Sequence, residues 1–397
     1  MRPALASLAV LIATTSSSSA QVIPDLPTIG SSWTDVGYPK LYWTPTNGFT
    51  FGLYYAQIRP PGFDDWDDPP PYRASISLDG EISVSGSHHL GLDFKFPNFF
   101  PGWRLNLRTW VIRHAKQNYF GLGNESDFDK NNVTDAQPDF YRMDRHRFFI
   151  RATAQRRVIG GLRALLGLQL ERWRLDTIPG TTLLGEQVQA GLGPTVGASS
   201  GDVDLRLGLV FDTRNDEVAA SRGVLIEALV AIADSTVAGD VSYRRGTLAA
   251  AGYFSWNERW VVAGRLVGQS MTGTPPPGTY FTIEASERGY DGLGGRLSHR
   301  GIPTDRFLGR DKLFGNLEIR YQMTGQPEVG TLTWLAFLDA GRVFQPPSED
   351  FRLTLDGMHV GGGLGPILTI GRTGVLGWTF GVGPDGLIVQ TLTSWTF

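Results

Sequence analysis

Every second residue of this chain switches between apolar and charged over long stretches, which restricts it to a β-rich fold with two very different faces. Leu90, Leu92, Phe94 and Phe96 alternate with Gly91, Asp93 and Lys95, and Trp103, Leu105 and Leu107 with Arg104, Asn106 and Arg108. Residues 203–209 and 317–323 repeat the scheme. Successive strand side chains point to opposite faces, so each segment has one apolar face and one that carries charge. A soluble sandwich has the same period, with its apolar face turned to a core. Two features favour lipid instead. The polar face is charged along whole strands, as in the interior of a water-filled or plugged barrel. Aromatics also bracket the strands (Tyr42, Trp43, Trp103, Trp110, Trp256, Trp260 and Trp334), as interfacial girdles do. Several segments reach the ~9–11 residues that a tilted strand needs to cross a bilayer.

Bulk properties remove other classes. After the first twenty residues nothing approaches the roughly 18 uninterrupted apolar residues of a spanning helix, and mean hydropathy is slightly negative. A formal charge of -3 gives no general reason to expect nucleic acid. With no cysteine there can be no disulfide, thiolate metal site, cysteine nucleophile or cysteine-linked lipid anchor. Met1-Arg2, the apolar run Leu5–Ala13 and the small residues Ser18-Ser19-Ala20 form a secretory signal peptide over 1–20. Residues 21–47, with Pro24, Pro27, Pro39 and Pro45, read as a periplasmic tail, and 48–397 as the barrel.

Residues 296–341 organise the rest. A loop carries Arg300-Gly301-Ile302-Pro303 and Arg306-Phe307, and strands are expected over Leu313–Met323 and Leu332–Val343. In the second strand Leu332, Trp334, Ala336, Leu338 and Ala340 share an apolar face, with Thr333, Leu335, Phe337, Asp339 and Gly341 opposite. A carboxylate on the inner face of such a strand needs a partner if it is dry, and the arginine-bearing loop upstream can supply one. At the other end of the chain, Leu387–Phe397 alternates so that Leu387, Val389, Trp395 and Phe397 share a face. That pattern predicts a last aromatic stave closing the barrel. Residues 59–73, with four aspartates among prolines, read as a solvated turn rather than a calcium loop, while 121–139 and 272–312 are long enough to be functional loops.

Tyr119-Phe120-Gly121-Leu122-Gly123-Asn124, Gly208–Arg214, Ser221-Arg222-Gly223, Arg300-Gly301 and Phe337-x-Asp339-x-Gly341 occur in that order before the terminal Trp395-x-Phe397. From Phe49 to Phe397 this set resembles the barrel of the BamA/TamA superfamily, the bacterial surface antigens. The resemblance implies an all-β fold: a transmembrane antiparallel β-barrel of sixteen strands, with an extracellular loop folded inward. It implies a plug-loop latch of Arg300, Gly301, Phe337, Asp339 and Gly341, in which Arg300 meets Asp339 and Phe337 packs on the guanidinium. Trp395 and Phe397 would be the C-terminal assembly signal. Ile302 stands where the family usually has an aromatic. Arg288-Gly289-Tyr290 has that aromatic but lacks the downstream Arg306-Phe307. Family members carry POTRA domains before the barrel, and the stretch from Gln21 to Phe49 has no room for one, so the resemblance is to a short form.

No catalytic constellation stands out. His88 and His89 are adjacent and face opposite ways in a strand, and there is neither a Gly-x-Ser-x-Gly elbow nor a His-Glu-x-x-His motif. His299 reads as a loop histidine in a polar plug, and Asp212 with Arg214 as an inward charge pair. The expectation is therefore a non-enzymatic outer-membrane barrel without cofactor or metal. It would assist assembly or translocation of proteins or lipids with a separate periplasmic partner. Its other contacts would be outer-membrane lipid and, during biogenesis, the barrel-assembly machinery. A passive diffusion channel or structural outer-membrane protein is the alternative.

Overall fold

The computed structural model describes residues 32–397 except 45, 63, 66, 67, 288, 327–329, 346 and 347. The expected signal peptide, the first part of the expected tail and Arg288 lie outside the described residues. The wall begins with β1 (Thr34–Thr44), β2 (Gly48–Arg59), β3 (Ala74–Ser83), β4 (His88–Phe100), β5 (Trp103–Asn118) and β6 (Arg142–Ile159). It continues through β7 (Leu162–Asp176), β8 (Ser199–Asp212), β9 (Gly223–Ala233), β10 (Tyr243–Ser255) and β11 (Trp260–Gly273). A two-stranded hairpin, β12 (Thr282–Ile283) and β13 (Tyr290–Asp291), lies in the long connection that follows. The wall resumes with β14 (Asp311–Gln326), β15 (Gly330–Phe344), β16 (His359–Ile370), β17 (Gly374–Gly383) and β18 (Gly386–Leu392).

These sixteen wall strands form one sheet in chain order, running from β1 to β18 without the loop hairpin. The sheet curls until connections near its two ends touch: Arg372, between β16 and β17, donates to the carbonyls of Asp68 (2.7 Å) and Pro70 (3.2 Å) between β2 and β3. Connections at one rim are long (119–141, 177–198, 274–310 and 345–358), while most at the other are short turns. In outer-membrane barrels the long loops are extracellular.

The burial pattern is inverted relative to a soluble protein. Leu166, Leu168 and Leu170 in β7 and Leu205, Leu207 and Leu209 in β8 stay exposed, while the intervening Gln169, Glu171, Asp204 and Arg206 are buried. Apolar side chains outside and charged ones within suit a wall with lipid around it and a polar lumen. Trp43, Trp103, Trp256 and Trp334 face outward, and Trp256 stacks on Trp260 at 5.9 Å.

Three expectations need correction. Tyr42 and Trp110 are not girdle residues: they point inward, where the Tyr42 hydroxyl donates to Glu81 (2.7 Å) and the Trp110 ring N–H to Asp93 (2.7 Å). A polar-tipped aromatic suits a lumen as well as an interface, so composition alone could not place them. Residues 34–44, read as tail, form β1. Lys40 and Tyr42 supply its inward face, and Pro39, which disguised the pattern, is tolerated because β1 is an edge strand. The last stave is shorter than its alternation implies, because β18 ends at Leu392 and the residues beyond turn into the lumen.

Candidate functional site

The connection 274–310 folds into the lumen rather than out into solvent. Its Ile283, Leu293, Ile302 and Phe307 pack with Ala249, Val267, Phe314 and Val343 of the wall, all of them buried. Ile302, at the position where an aromatic is usual, is a core residue of this cluster, so its contribution is packing rather than ring stacking. Fully burying such side chains stabilises by about 1.5–3 kcal/mol each, which seats the loop before any ion pair is counted.

Arg300 is the loop's central cation and is fully buried, as is Asp339 of β15. The guanidinium donates to Asp339 through Nε (2.9 Å) and Nη2 (2.7 Å), and the Arg300 backbone N–H adds a third bond to the same carboxylate (2.8 Å). Asn316 of β14 donates a fourth (2.8 Å). This is a planar fork meeting a carboxylate bidentately. Phe337, two residues before Asp339 and so on the same strand face, lies 4.1 Å beneath the guanidinium carbon. Burial alone would disfavour the Arg300 charge, but Glu318 and Asp339 together raise its pKa above the ordinary arginine value.

Glycines let the loop lie this close. A Cβ at Gly301 would sit 2.9 Å from the Gly361 Cα and 3.1 Å from the Val382 carbonyl, both backbone. At Gly341 it would meet the Leu293 side chain at 2.6 Å. His299, also fully buried, is a structural residue. One ring nitrogen, Nε2, bonds the His359 carbonyl (3.0 Å), and Nδ1 accepts from the Gly301 N–H (3.3 Å). Desolvation lowers its pKa, consistent with a neutral ring. Asp212 and Arg214 do pair, through two bonds of 3.0 Å. The Tyr119–Asn124 segment covers the loop from the extracellular side. There Gly123 N–H donates to the Leu308 carbonyl (2.8 Å), and Asn124 accepts from Val343 N–H (3.1 Å).

Sequence reasoning missed several fastenings. The Arg300 guanidinium has a second carboxylate, Glu318 of β14, which also binds Arg320 (2.7 Å). Glu284 of the loop lies among Arg151, Arg206 and Arg245 on β6, β8 and β10. Glu287 pairs with Arg104 of β5, and Arg306 with Asp385 (2.9 Å). Inward arginines at the alternating positions of β5, β6, β8 and β10 were the available signal, but their partner could not be chosen among the loop acids.

Trp395 and Phe397 are also placed differently from expectation. Trp395 is buried in the lumen with Leu335, Phe337, Ile367, Val375 and Leu392, and Phe397 packs near Tyr253. Thr396 accepts from Arg300 through its hydroxyl (3.3 Å) and from Arg265 through its carbonyl (3.1 Å), while the Phe397 carbonyl accepts from Arg320 (3.1 Å). The physical reason is the arginine pair itself: the Trp395 ring covers the Arg320 guanidinium at 4.2 Å and the Phe397 ring covers Arg265 at 4.8 Å. Against bulk lipid both cations would lose those faces. The segment is thus part of the site as well as the end of the last strand.

Among the described residues one cluster has metal-ligand composition: Asp79, Glu81 and His89. The Lys40 ammonium already lies between the two carboxylates, at 2.6 and 2.8 Å. It supplies the positive charge that a metal would bring.

Comparison with known proteins places this architecture. A search of curated protein sequences gives no match. The fold is similar to BamA from Haemophilus ducreyi lacking POTRA domains 1–3, with a TM-score of 0.52 and 14% identity over 90% of this chain and 69% of that one. It is also similar to CdiB from Escherichia coli, with a TM-score of 0.53 and 11% identity over 90% of this chain and 61% of that one, so it spans less than two thirds of CdiB. At these identities the likeness concerns the fold. The profile described as Omp85 superfamily domain matches residues 74–375, from β3 to the start of β17. By that match, and with a sixteen-stranded wall around an inward-folded loop, the chain belongs to the Omp85 superfamily and is an outer-membrane β-barrel.

Proposed function

We propose that this barrel assists the assembly or translocation of proteins or lipids at the outer membrane, working with a separate periplasmic partner. Membership of the superfamily supports the first part. Arg300, Gly301, Phe337, Asp339 and Gly341 act as a latch that holds the loop in the lumen.

The observation that carries this reading is the bonding between the latch and the last strand. Gln390 of β18 donates to the carbonyls of Arg300 (3.1 Å) and Ile302 (3.3 Å), and Arg300 reaches Thr396 just beyond the strand. The strand order begins at β1 and ends at β18, so the residues that seat the plug also steady the strand at the sheet's edge. A passive channel has no need of that coupling.

Two measurements test the reading. Native barrel extracted from membranes should retain a periplasmic protein through affinity purification, and in planar bilayers it should conduct little until residues 290–312 are deleted. Steady, large openings of the intact protein would make the passive-channel reading the right one.

A further inference from the structure

The wall's arginine cluster asks for an anion whether or not the loop supplies it. Arg206 on β8 and Arg245 on β10 both pair in register with Ala231 on β9. That small side chain leaves room for the two guanidinium groups to converge. Arg151 on β6 approaches from the next row. All three are at least nine-tenths buried. Fixed wall carboxylates do not balance them. Asp204 serves Arg206 (3.1 Å) and Arg245 (3.7 Å), but Glu171 is occupied by Arg147 (2.5 Å) and Asp202 accepts from the Tyr243 hydroxyl (2.7 Å). Among the described residues Asp204 is thus the one wall carboxylate in ion-pair contact with the three cations.

The missing charge comes from the loop. Glu284 Oε2 contacts Arg206 and lies 3.0 Å from Arg245, while Oε1 is 3.5 Å from Arg151. Burial raises the Glu284 carboxyl, but the three arginines outweigh it and hold the group at about 2. Even so the donors are not exhausted. Each guanidinium offers five N–H groups, and the buried Nε of Arg245 has no hydrogen-bond acceptor among the described residues. A carboxylate has two oxygens, whereas a phosphate group presents three or more to the same donors.

We propose that Arg151, Arg206 and Arg245 form an anion site in the lumen wall, that Glu284 fills it as an internal ligand, and that a phosphate-bearing molecule competes with Glu284 for it. The plug is then held by ionic contacts of opposite sense, among them a loop cation on wall anions at Arg300 and a loop anion on wall cations at Glu284. The second is the one that a soluble or lipid-borne phosphate can displace.

Calorimetric titration of the purified full chain with inorganic pyrophosphate at constant ionic strength tests this. Glu284→Gln removes the loop's negative charge from the cradle while keeping the side-chain shape, and should bind pyrophosphate at least tenfold more tightly than the unaltered protein. Adding Arg206→Gln should abolish that gain. Equal affinity in E284Q and the unaltered chain, or a gain that survives loss of Arg206, would overturn the proposal. A second measurement needs no variant: pyrophosphate should speed proteolytic cleavage within 274–310 of the unaltered protein, and a rate that pyrophosphate leaves unchanged counts against competition. Repeating that assay with dihexanoyl phosphatidic acid separates the sources. Acceleration by the lipid at concentrations where pyrophosphate is equally effective indicates any phosphate, and acceleration at much lower concentration indicates a headgroup. None of these outcomes bears on whether a periplasmic partner exists, so the proposal stands or falls apart from that reading.

Discussion

Asp339→Ala is the most direct perturbation of the proposed latch, and its cost can be worked from the contacts. The carboxylate accepts four hydrogen bonds, three from Arg300 and one from Asn316, with no solvent exposure. Breaking one partner of a buried pair typically costs about 3–5 kcal/mol, because the other charge is left uncompensated. Here Arg300 keeps Glu318, although Glu318 is shared with Arg320, so the lower end applies: about 3 kcal/mol, or roughly a hundredfold in the ratio of seated to unseated loop. The apolar anchors Ile283, Leu293, Ile302 and Phe307 remain, so most molecules should still hold the loop in place. Proteolysis within 274–310 reports this population when opening is fast relative to cleavage. The variant should be cut about a hundred times faster, and its heat-modifiable band should shift at lower temperature. Arg300→Met should behave similarly, and the double variant should cost far less than the sum of the singles, since both remove one interaction. Cleavage rates and band shifts equal to those of the unaltered barrel, or strictly additive effects, would refute a latch.

Other outcomes follow from the same contacts. Gly301→Ala drives a methyl against backbone at Gly361 and Val382 and should destabilise by about 1–3 kcal/mol, whereas Gly246→Ala, with nothing within 4 Å, should leave urea midpoints unmoved. Trp395→Ala removes a buried ring beside Leu335 and Phe337 and should cost about 3–5 kcal/mol; a urea midpoint close to the parent would return this residue to the barrel exterior. Leu207→Arg places a cation on the exposed apolar face of β8. It should cost about 2–4 kcal/mol in lipid, and a neutral result in reconstituted vesicles would contradict a membrane-facing wall. Asp305 lies in the loop, where burial pushes its carboxyl up to about 7. Its folded-state value is above the ordinary one, so the seated loop binds the proton more tightly, and this group's contribution falls as pH rises from about 4 through 7. Loop cleavage should therefore be slower at pH 5 than at pH 8, with the difference shrinking in Asp305→Asn, which tolerates the same positive φ of 55°.

Much of this was legible in the amino-acid order because strand geometry is local. Alternation alone assigned Thr333, Leu335, Phe337, Asp339 and Gly341 to the inner face of β15, and the burial along that strand follows it. Asp339 had to be inward and needed a cation, and a loop arginine upstream was the supplier. The same rule kept His88 and His89 on opposite faces. The reading failed where it went by composition instead, as for Tyr42 and Trp110, which share the inward face with Lys40 and Arg108, or where alternation continued past the point at which pairing stopped, as it does after Leu392.

Partners across the lumen are a different matter. Periodicity says that Arg151, Arg206 and Arg245 face inward, but not that Glu284 will lie among them. Nor does it say that Arg300 will touch both Asp339 and Glu318, or that Trp395 and Phe397 will cover Arg320 and Arg265. Those contacts join residues that are from 18 to more than 130 positions apart. Face and charge are set by two-residue geometry along each strand, whereas the pairing of opposite charges depends on how the closing sheet and the path of one long loop bring the faces together. Only the tertiary structure determines that.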